Sequence, residues 1–239
     1  MDVESVKAMI AVEKEHPWYQ ARLNFVKALL DSKNPSNTKI LDFGCGSGGV
    51  LSECIAMGFL DVKGMDTSID CIESVRARGV ACQLLTNGLP VLENEYDLIL
   101  CLDVLEHLEH DQIYLELFKS GLHENGKILI TVPAHSFLWS PHDVFNHHFR
   151  RYSRKSLINL VDGSGLKIDN IRYWNSTLFP IFLFVRPLSR FLKRNGGSEF
   201  KLPPRFMRPL LLSLLNFEAK STYMGTMPGV SLVATLSKV

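Results

Sequence analysis

The stretch from residue 40 to residue 49, Ile-Leu-Asp-Phe-Gly-Cys-Gly-Ser-Gly-Gly, constrains the fold more than any other. A short apolar run over residues 39–43 ends directly in glycines, and a helical pattern over residues 50–57 follows. A short apolar run bounded by turn residues reads as a buried strand. Glycine then lets the backbone turn tightly and approach a ligand closely. Strand, glycine turn and helix open a βαβ unit, and the alternation continues. Residues 61–66 read as a strand, 69–78 as a helix ended by Gly79, and 80–85 as a third strand. Residues 96–102, "YDLILCL", are apolar on both faces, as a central parallel strand should be. A helix over 112–122 and a strand over 127–132, stopped by Pro133, complete the run.

Beyond Pro133 an irregular stretch leads to a helix over 153–161, which Ser153 is placed to cap. A strand over 166–173, helices over 177–194 and 205–220, and a last strand over 230–236 follow. Residues 3–31 read as helical, broken at His16-Pro17. The predicted architecture is α/β: a Rossmann-like, doubly wound, mostly parallel sheet of seven strands with helices on both faces. N-terminal helices precede it, and a helical insertion precedes the last strand. At 239 residues the chain suits one domain, 1–239. Its expected parts are a helical cap (1–36), a cofactor-binding core (37–135), and a substrate-side loop with the insertion and final strands (136–239).

A net charge of +1 hides an asymmetry. Residues 1–148 carry 11 Lys and Arg against 21 Asp and Glu, whereas residues 149–239 carry 15 against 4. The basic half either faces an anionic partner or complements the acidic half within the fold. The cysteines, Cys45, Cys54, Cys71, Cys82 and Cys101, are odd in number and form no C-x-x-C, which suits reduced thiols. The N-terminus has no signal-peptide pattern, and no apolar run approaches the ~20 residues of a membrane span. The expected location is cytoplasmic.

Two ligands compete for the glycine loop. Gly44, Gly46 and Gly49 satisfy G-x-G-x-x-G, the dinucleotide spacing. Gly44, Gly46 and Gly48 satisfy G-x-G-x-G. Both readings want an acid at the end of the second strand for ribose hydroxyls, and Asp66 supplies it. Asp42 separates them. A carboxylate at the end of the first strand repels a pyrophosphate and attracts an ammonium. S-adenosylmethionine carries an ammonium and a sulfonium, and no phosphate.

"LDFGCGSG" resembles the first motif of class I S-adenosylmethionine-dependent methyltransferases, "GMDTS" their second, and "YDLILCLDVLEHL" their fourth-strand motif. The segment "HHFRRYS" resembles the ubiquinone-type, UbiG- and UbiE-like subgroup. The resemblance implies S-adenosylmethionine as cofactor, S-adenosylhomocysteine as product, and binding residues Asp42, Gly44, Cys45, Gly46, Asp66, Thr67, Leu102 and Asp103. Many relatives place an acid after the third strand to receive adenine. Here Leu85 stands there, so Thr86 and Asn87 are the expected adenine contacts.

After the fourth strand, Asp103, Glu106 and His107 can converge on one helical turn. Such a trio suits a divalent cation. The expectation adopted is no metal, with Glu106 and His107 in a hydrogen-bonded turn beside the substrate. In "SPHDVFNHHFRRYSRKSL" the candidate bases are His148, His107 and His142, since imidazole titrates near neutral pH. His147, Arg150, Arg151 and Tyr152 are the expected substrate contacts, with Trp18 and Tyr19 as lid residues. Apolar stretches with basic flanks (Arg186, Arg190, Lys193, Arg194, Arg205, Arg208) suggest peripheral membrane or lipid contact through 177–215. The expected function is methylation of a small molecule, hydrophobic, lipid-linked or anionic, on oxygen rather than nitrogen, by a monomer or homodimer. The alternatives are an RNA methyltransferase, a non-catalytic S-adenosylmethionine-binding protein, and an NAD-dependent dehydrogenase. Nucleic acid is disfavoured because no separate RNA-binding module is visible.

Overall fold

A computed structural model of the chain describes residues 12–13, 15–86, 88–191, 202–221 and 224–239. The sheet comprises β1 (Lys39–Phe43), β2 (Asp61–Asp66), β3 (Ala81–Leu84), β4 (Tyr96–Leu102), β5 (Leu122–Pro133), β6 (Leu166–Trp174) and β7 (Ser231–Lys238). Their order is β3-β2-β1-β4-β5-β7-β6. The first five pair in parallel, and β7 runs antiparallel between β5 and β6. The chain works outward from β1 to β3 and then returns to β4 on the other side of β1. That reversal opens a crevice beyond the carboxyl ends of β1 and β4.

The strands alternate between two cores. Leu41, Phe43, Ile99 and Cys101 pack on one face with Leu115 and Phe118 of α4 (Asp111–Gly121) and with Leu157 and Val161 of α6 (Arg154–Gly163). Ile40, Leu98, Leu100 and Leu102 point to the other face. There they meet α1 (Pro17–Leu30), α2 (Gly49–Ala56), α3 (Ile69–Arg76) and α8 (Arg208–Lys220). Both faces of β4 are therefore dry, which explains its unbroken apolar sequence.

The expected break at Pro17 is real. His16 caps α1 through Nδ1, which accepts from the Trp18 backbone, and Pro17 opens the helix where no donor is needed. Ser153 caps α6 by accepting from the Ser156 backbone. Two elements differ from expectation. β5 starts at Leu122 rather than 127, because an irregularity in the β4–β5 register carries the polar residues 123–125 that hide the strand in the sequence. The stretch read as irregular holds a short helix, α5 (Pro141–Phe145), with Ser140 at its N-cap.

The insertion supplies α7 (Phe179–Phe191) and α8. α8 lies against α1, with Asn24 donating to Asn216 and Trp174 wedged against Phe25 and Trp18. Asn87, Leu192, Lys193 and Arg194 fall outside the described residues. The five cysteines are free thiols. Among the described residues no helix is long and apolar enough to cross a membrane.

Candidate active site

The loop between β1 and α2 settles which glycines matter. Gly44, Gly46 and Gly48 all have positive φ (75°, 52° and 77°), whereas Gly49 is the first residue of α2 with an ordinary φ. The G-x-G-x-G spacing is therefore the one the backbone uses. At Gly44 a side chain is excluded twice over, because a Cβ would also stand 2.4 Å from Val104 Cγ2. The loop is pinned to β2: the Gly44 and Cys45 amides donate to Met65 O, and the Gly46 amide donates to Asp66 Oδ2 at 2.8 Å. Asp66 Oδ1 accepts from the Ser68 amide at 2.8 Å. Asp66 thus shapes the loop as well as facing the ligand edge.

A cavity of about 1710 Å³ opens at the crevice. A single small-ligand pocket is usually about 300–1,000 Å³, so there is room for two molecules. One end is lined by Asp42, Gly44, Cys45, Gly46, Asp66, Thr67, Thr86, Leu102 and Asp103. Glu13, which bonds Ser47, adds a fourth carboxylate there. Against these stands Arg22, paired with Asp103 at 2.6 Å and donating to Leu102 O, with Trp18 and Tyr19 beneath its guanidinium. Thr131 Oγ1 donates to the same Asp103 oxygen.

Two buried atoms here have no hydrogen-bond partner among the described residues: the acceptor Asp42 Oδ2 and the donor Arg22 Nε. Burial, partly opposed by the charge of Arg22, lifts the Asp42 carboxyl to about 7. A buried charge without a partner is costly. An unpaired acid beside an unpaired guanidinium nitrogen matches the ammonium and carboxylate of an amino-acid zwitterion. Asp42, Asp66 and Glu13 around the glycine loop oppose a pyrophosphate. The loop therefore fits S-adenosylmethionine and not a dinucleotide. Residues 16–171 match the family described as "Methyltransferase domain".

The chain belongs to that family, and its cofactor is S-adenosylmethionine. The ubiquinone biosynthesis O-methyltransferase of Hydrogenovibrio crunogenus is 32% identical over 75% of this chain and 71% of its own length. The mitochondrial ubiquinone biosynthesis O-methyltransferase of Schizosaccharomyces pombe is 28% identical over 52% of this chain. That match spans about half (48%) of the relative's length. An S-adenosylmethionine-dependent methyltransferase from Mesorhizobium loti superposes with a TM-score of 0.61 at 14% identity, covering 90% of this chain and 97% of that one. The [4+2]-cyclase SpnF superposes with a TM-score of 0.60 at 15% identity, over 92% of this chain and 82% of its own. The fold therefore serves more than one chemistry, and activity must be argued from the site.

The other end of the methyltransferase cavity is lined by His107, His142, His147, His148 and Arg151, then by Leu178, by Phe182 and Val185 of α7, and by Leu211 and Leu215 of α8. The His148 side chain is only 8% exposed. Its Nδ1 lies 3.1 Å from Asp143 Oδ1, and its ring meets His107 edge to face with centroids 4.6 Å apart. His107 is open to the cavity, yet crowding by the surrounding protein and the neighbouring His148 hold its pKa below the usual histidine value. Burial pushes His142 down to about 4, and it sits 3.0 Å from the Asn146 amide. His147, at φ 56°, stands at the exposed rim.

Several expected contacts lie elsewhere. Tyr152 is buried off the cavity, donating to Asp111 and to Leu105 O, because its strand-like bridge to Ala134 turns it under the sheet edge. Arg150 points away to Asp111 and Glu109 O at the start of α4. Arg151 lines the cavity, but its guanidinium is engaged by Asp143 and Ala134 O. Trp18 both faces the cavity and stacks on Trp174 at 5.5 Å. Asp103, Glu106 and His107, which the sequence allowed as a cation site without favouring it, do not converge, because Arg22 and Thr131 hold Asp103. The residues whose ligand atoms come together, within 4.8 Å, are Glu106, His107 and His148. The sequence carries no signal for Arg22 and shows Asp143 only as one polar residue of the loop after the fifth strand. Arg22 is one arginine in an amphipathic helix, and Asp143 lies in a stretch whose helix was not foreseen.

Proposed function

We propose that the chain transfers the methyl group of S-adenosylmethionine to a hydroxyl of a small acceptor that carries an apolar portion. The observation behind this reading is the continuity of the cavity: it runs from Asp42 and Arg22, past His148, to the apolar wall of α7 and α8. S-adenosylmethionine supplies a sulfonium methyl carbon open to in-line attack. Asp42 and Arg22 hold the zwitterionic end, Asp66 the ribose, and the glycine turn lets backbone approach between them. Alignment of the two reactants accounts for most of the acceleration. A hydroxyl must also lose its proton, and His148 is the base we assign to receive it. The names of the ubiquinone biosynthesis relatives support oxygen over nitrogen as nucleophile.

The test uses tritiated S-adenosylmethionine with hexylcatechol as the oxygen acceptor and octylamine as the nitrogen control. Label passing to hexylcatechol is the expected result; label passing to octylamine alone overturns the reading. His148→Gln should lower kcat by about 10²–10⁴-fold while leaving S-adenosylhomocysteine affinity within twofold.

One observation favours a second reading of the same end. Glu106, His107 and His148 together offer a carboxylate and two imidazoles, a set that suits a divalent cation able to bind the acceptor oxygen. Dialysis against EDTA separates the readings: retained activity supports proton transfer to His148, and loss restored by Mg²⁺ or Mn²⁺ supports the metal.

The outer faces of the insertion bear on where the acceptor comes from. Phe184 and Leu210 are 74% and 70% exposed, and Ile181, Phe206 and Phe217 are exposed beside them. With the basic character of residues 149–239, these faces suit an anionic lipid surface from which an apolar acceptor enters between α7 and α8.

A further inference from the structure

Asp143 is the most thoroughly occupied polar group of the acceptor end. It is fully buried at 0% exposure. Its Oδ1 accepts from Arg151 Nε at 2.7 Å and faces His148 Nδ1 at 3.1 Å. Its Oδ2 accepts from the Ser140 amide at 2.8 Å, from Ser140 Oγ at 3.0 Å, and from Arg186 Nη1 at 3.4 Å. Burial alone would raise this carboxyl. The hydrogen bond from His148, the charge of Arg151 and the Ser140 donors outweigh burial and hold it below its usual range.

An ionised carboxylate only accepts hydrogen bonds. Nδ1 of His148 must therefore be the donor, and the lone pair of the neutral ring sits on Nε2. A buried carboxylate sets the tautomer of the histidine base in the Ser-His-Asp arrangement by the same contact. Here the carboxylate has a further tie. Arg186 belongs to α7, whose Phe182 and Val185 wall the acceptor end, and it also donates to Leu138 O at 3.3 Å. Its inward reach departs from the expectation that it flanks a lipid-facing helix.

We propose that Asp143 is the positioning residue for His148, fixing the Nδ1–H tautomer with the Nε2 lone pair free for the acceptor proton, and that Arg186 links this hold to the docking of α7. The proposal rests on the reading of His148 as the base. Its first test requires no methyl transfer, so the two can fail separately.

That test is histidine-ring ¹⁵N NMR on the full chain with S-adenosylhomocysteine, the His148 signals being assigned by their loss in His148→Gln. Wild type should show protonated Nδ1 and unprotonated Nε2; the opposite tautomer overturns the proposal. Asp143→Asn should mix the tautomers and lower kcat toward hexylcatechol by about 10²–10⁴-fold, with S-adenosylhomocysteine affinity within twofold. An unchanged tautomer with unchanged kcat overturns it. Should Asp143→Asn fail to fold, Arg186→Met serves instead. It should lower kcat threefold to tenfold at unchanged cofactor affinity, and wild-type kcat and tautomer would overturn the link to α7. If His148→Gln keeps full activity while wild type shows Nδ1–H, the base reading fails and the positioning by Asp143 stands as structural.

Discussion

The two ends of the cavity are built in opposite ways. At the cofactor end, most of the lining comes from strand ends and the turns directly after them: Asp42 to Gly46 at the end of β1, Asp66 and Thr67 at the end of β2, Leu102 and Asp103 at the end of β4. At the acceptor end, Glu106, Arg186 and Leu211 come from separate elements and meet the segment of Asp143 and His148 only through packing. The first end binds one invariant chemical object with backbone and a few acids. The second is assembled from side chains that only the packing of the insertion on the sheet brings together.

The sharpest way to break this contrast is Asp66→Ala. It removes an acceptor for two backbone amides and the candidate ribose contact, so S-adenosylhomocysteine should bind about 100-fold more weakly by calorimetry. Unchanged affinity would remove the cofactor end from the comparison altogether.

Arg22→Met is next. It leaves Asp103 partly buried without its cation, and breaking such a pair typically costs about 3–5 kcal/mol. Thermal unfolding should show that loss, and S-adenosylhomocysteine affinity should fall at least tenfold. A stable variant with normal affinity would mean that α1 merely covers the cofactor.

A pH series sharpens the role of Asp42. Its folded pKa is lifted to about 7 by burial. A ligand ammonium pairs with the ionised form, so affinity should be full above pH 7 and fall by up to about tenfold per unit below it. The same upward shift means that stability present below the unfolded carboxylate value of about 4 is lost as pH rises towards 7 in the ligand-free chain. Asp42→Asn should flatten both curves, and a wild-type affinity indifferent to pH would argue against the ammonium contact.

The smallest effect is expected from Phe184→Glu with Leu210→Glu on the exposed faces of the insertion. Flotation with phosphatidylglycerol vesicles should drop severalfold while cofactor affinity and kcat toward hexylcatechol stay the same. Equal flotation would leave these faces to another partner.

Much of the cofactor end was legible in the chain because each contact lies within a few residues of a strand whose apolar run announces it. Asp42, Asp66 and the glycine spacing could be read before any packing was known, and only the choice among glycines waited for the φ angles. Asn87 lies outside the described residues, so the adenine contact expected there stays a proposal. The acceptor end was legible only as a composition. "HDVFNHHFRRY" announced histidines and arginines without saying which face a common point. Tyr152 and Arg150 proved to brace the start of α4, while Asp143 sits at the centre of the polar cluster.

The order of strands and helices, the glycine turn and the acids at the strand ends follow from the sequence alone, because periodicity and turn chemistry are local properties. The pairing of Arg22 with Asp103, the seating of His148 on Asp143 and the reach of Arg186 from α7 were decided by tertiary structure. These contacts join residues 81, 5 and 43 positions apart, and what fixes them is the burial of charge, which each side chain resolves only where the completed fold supplies a partner.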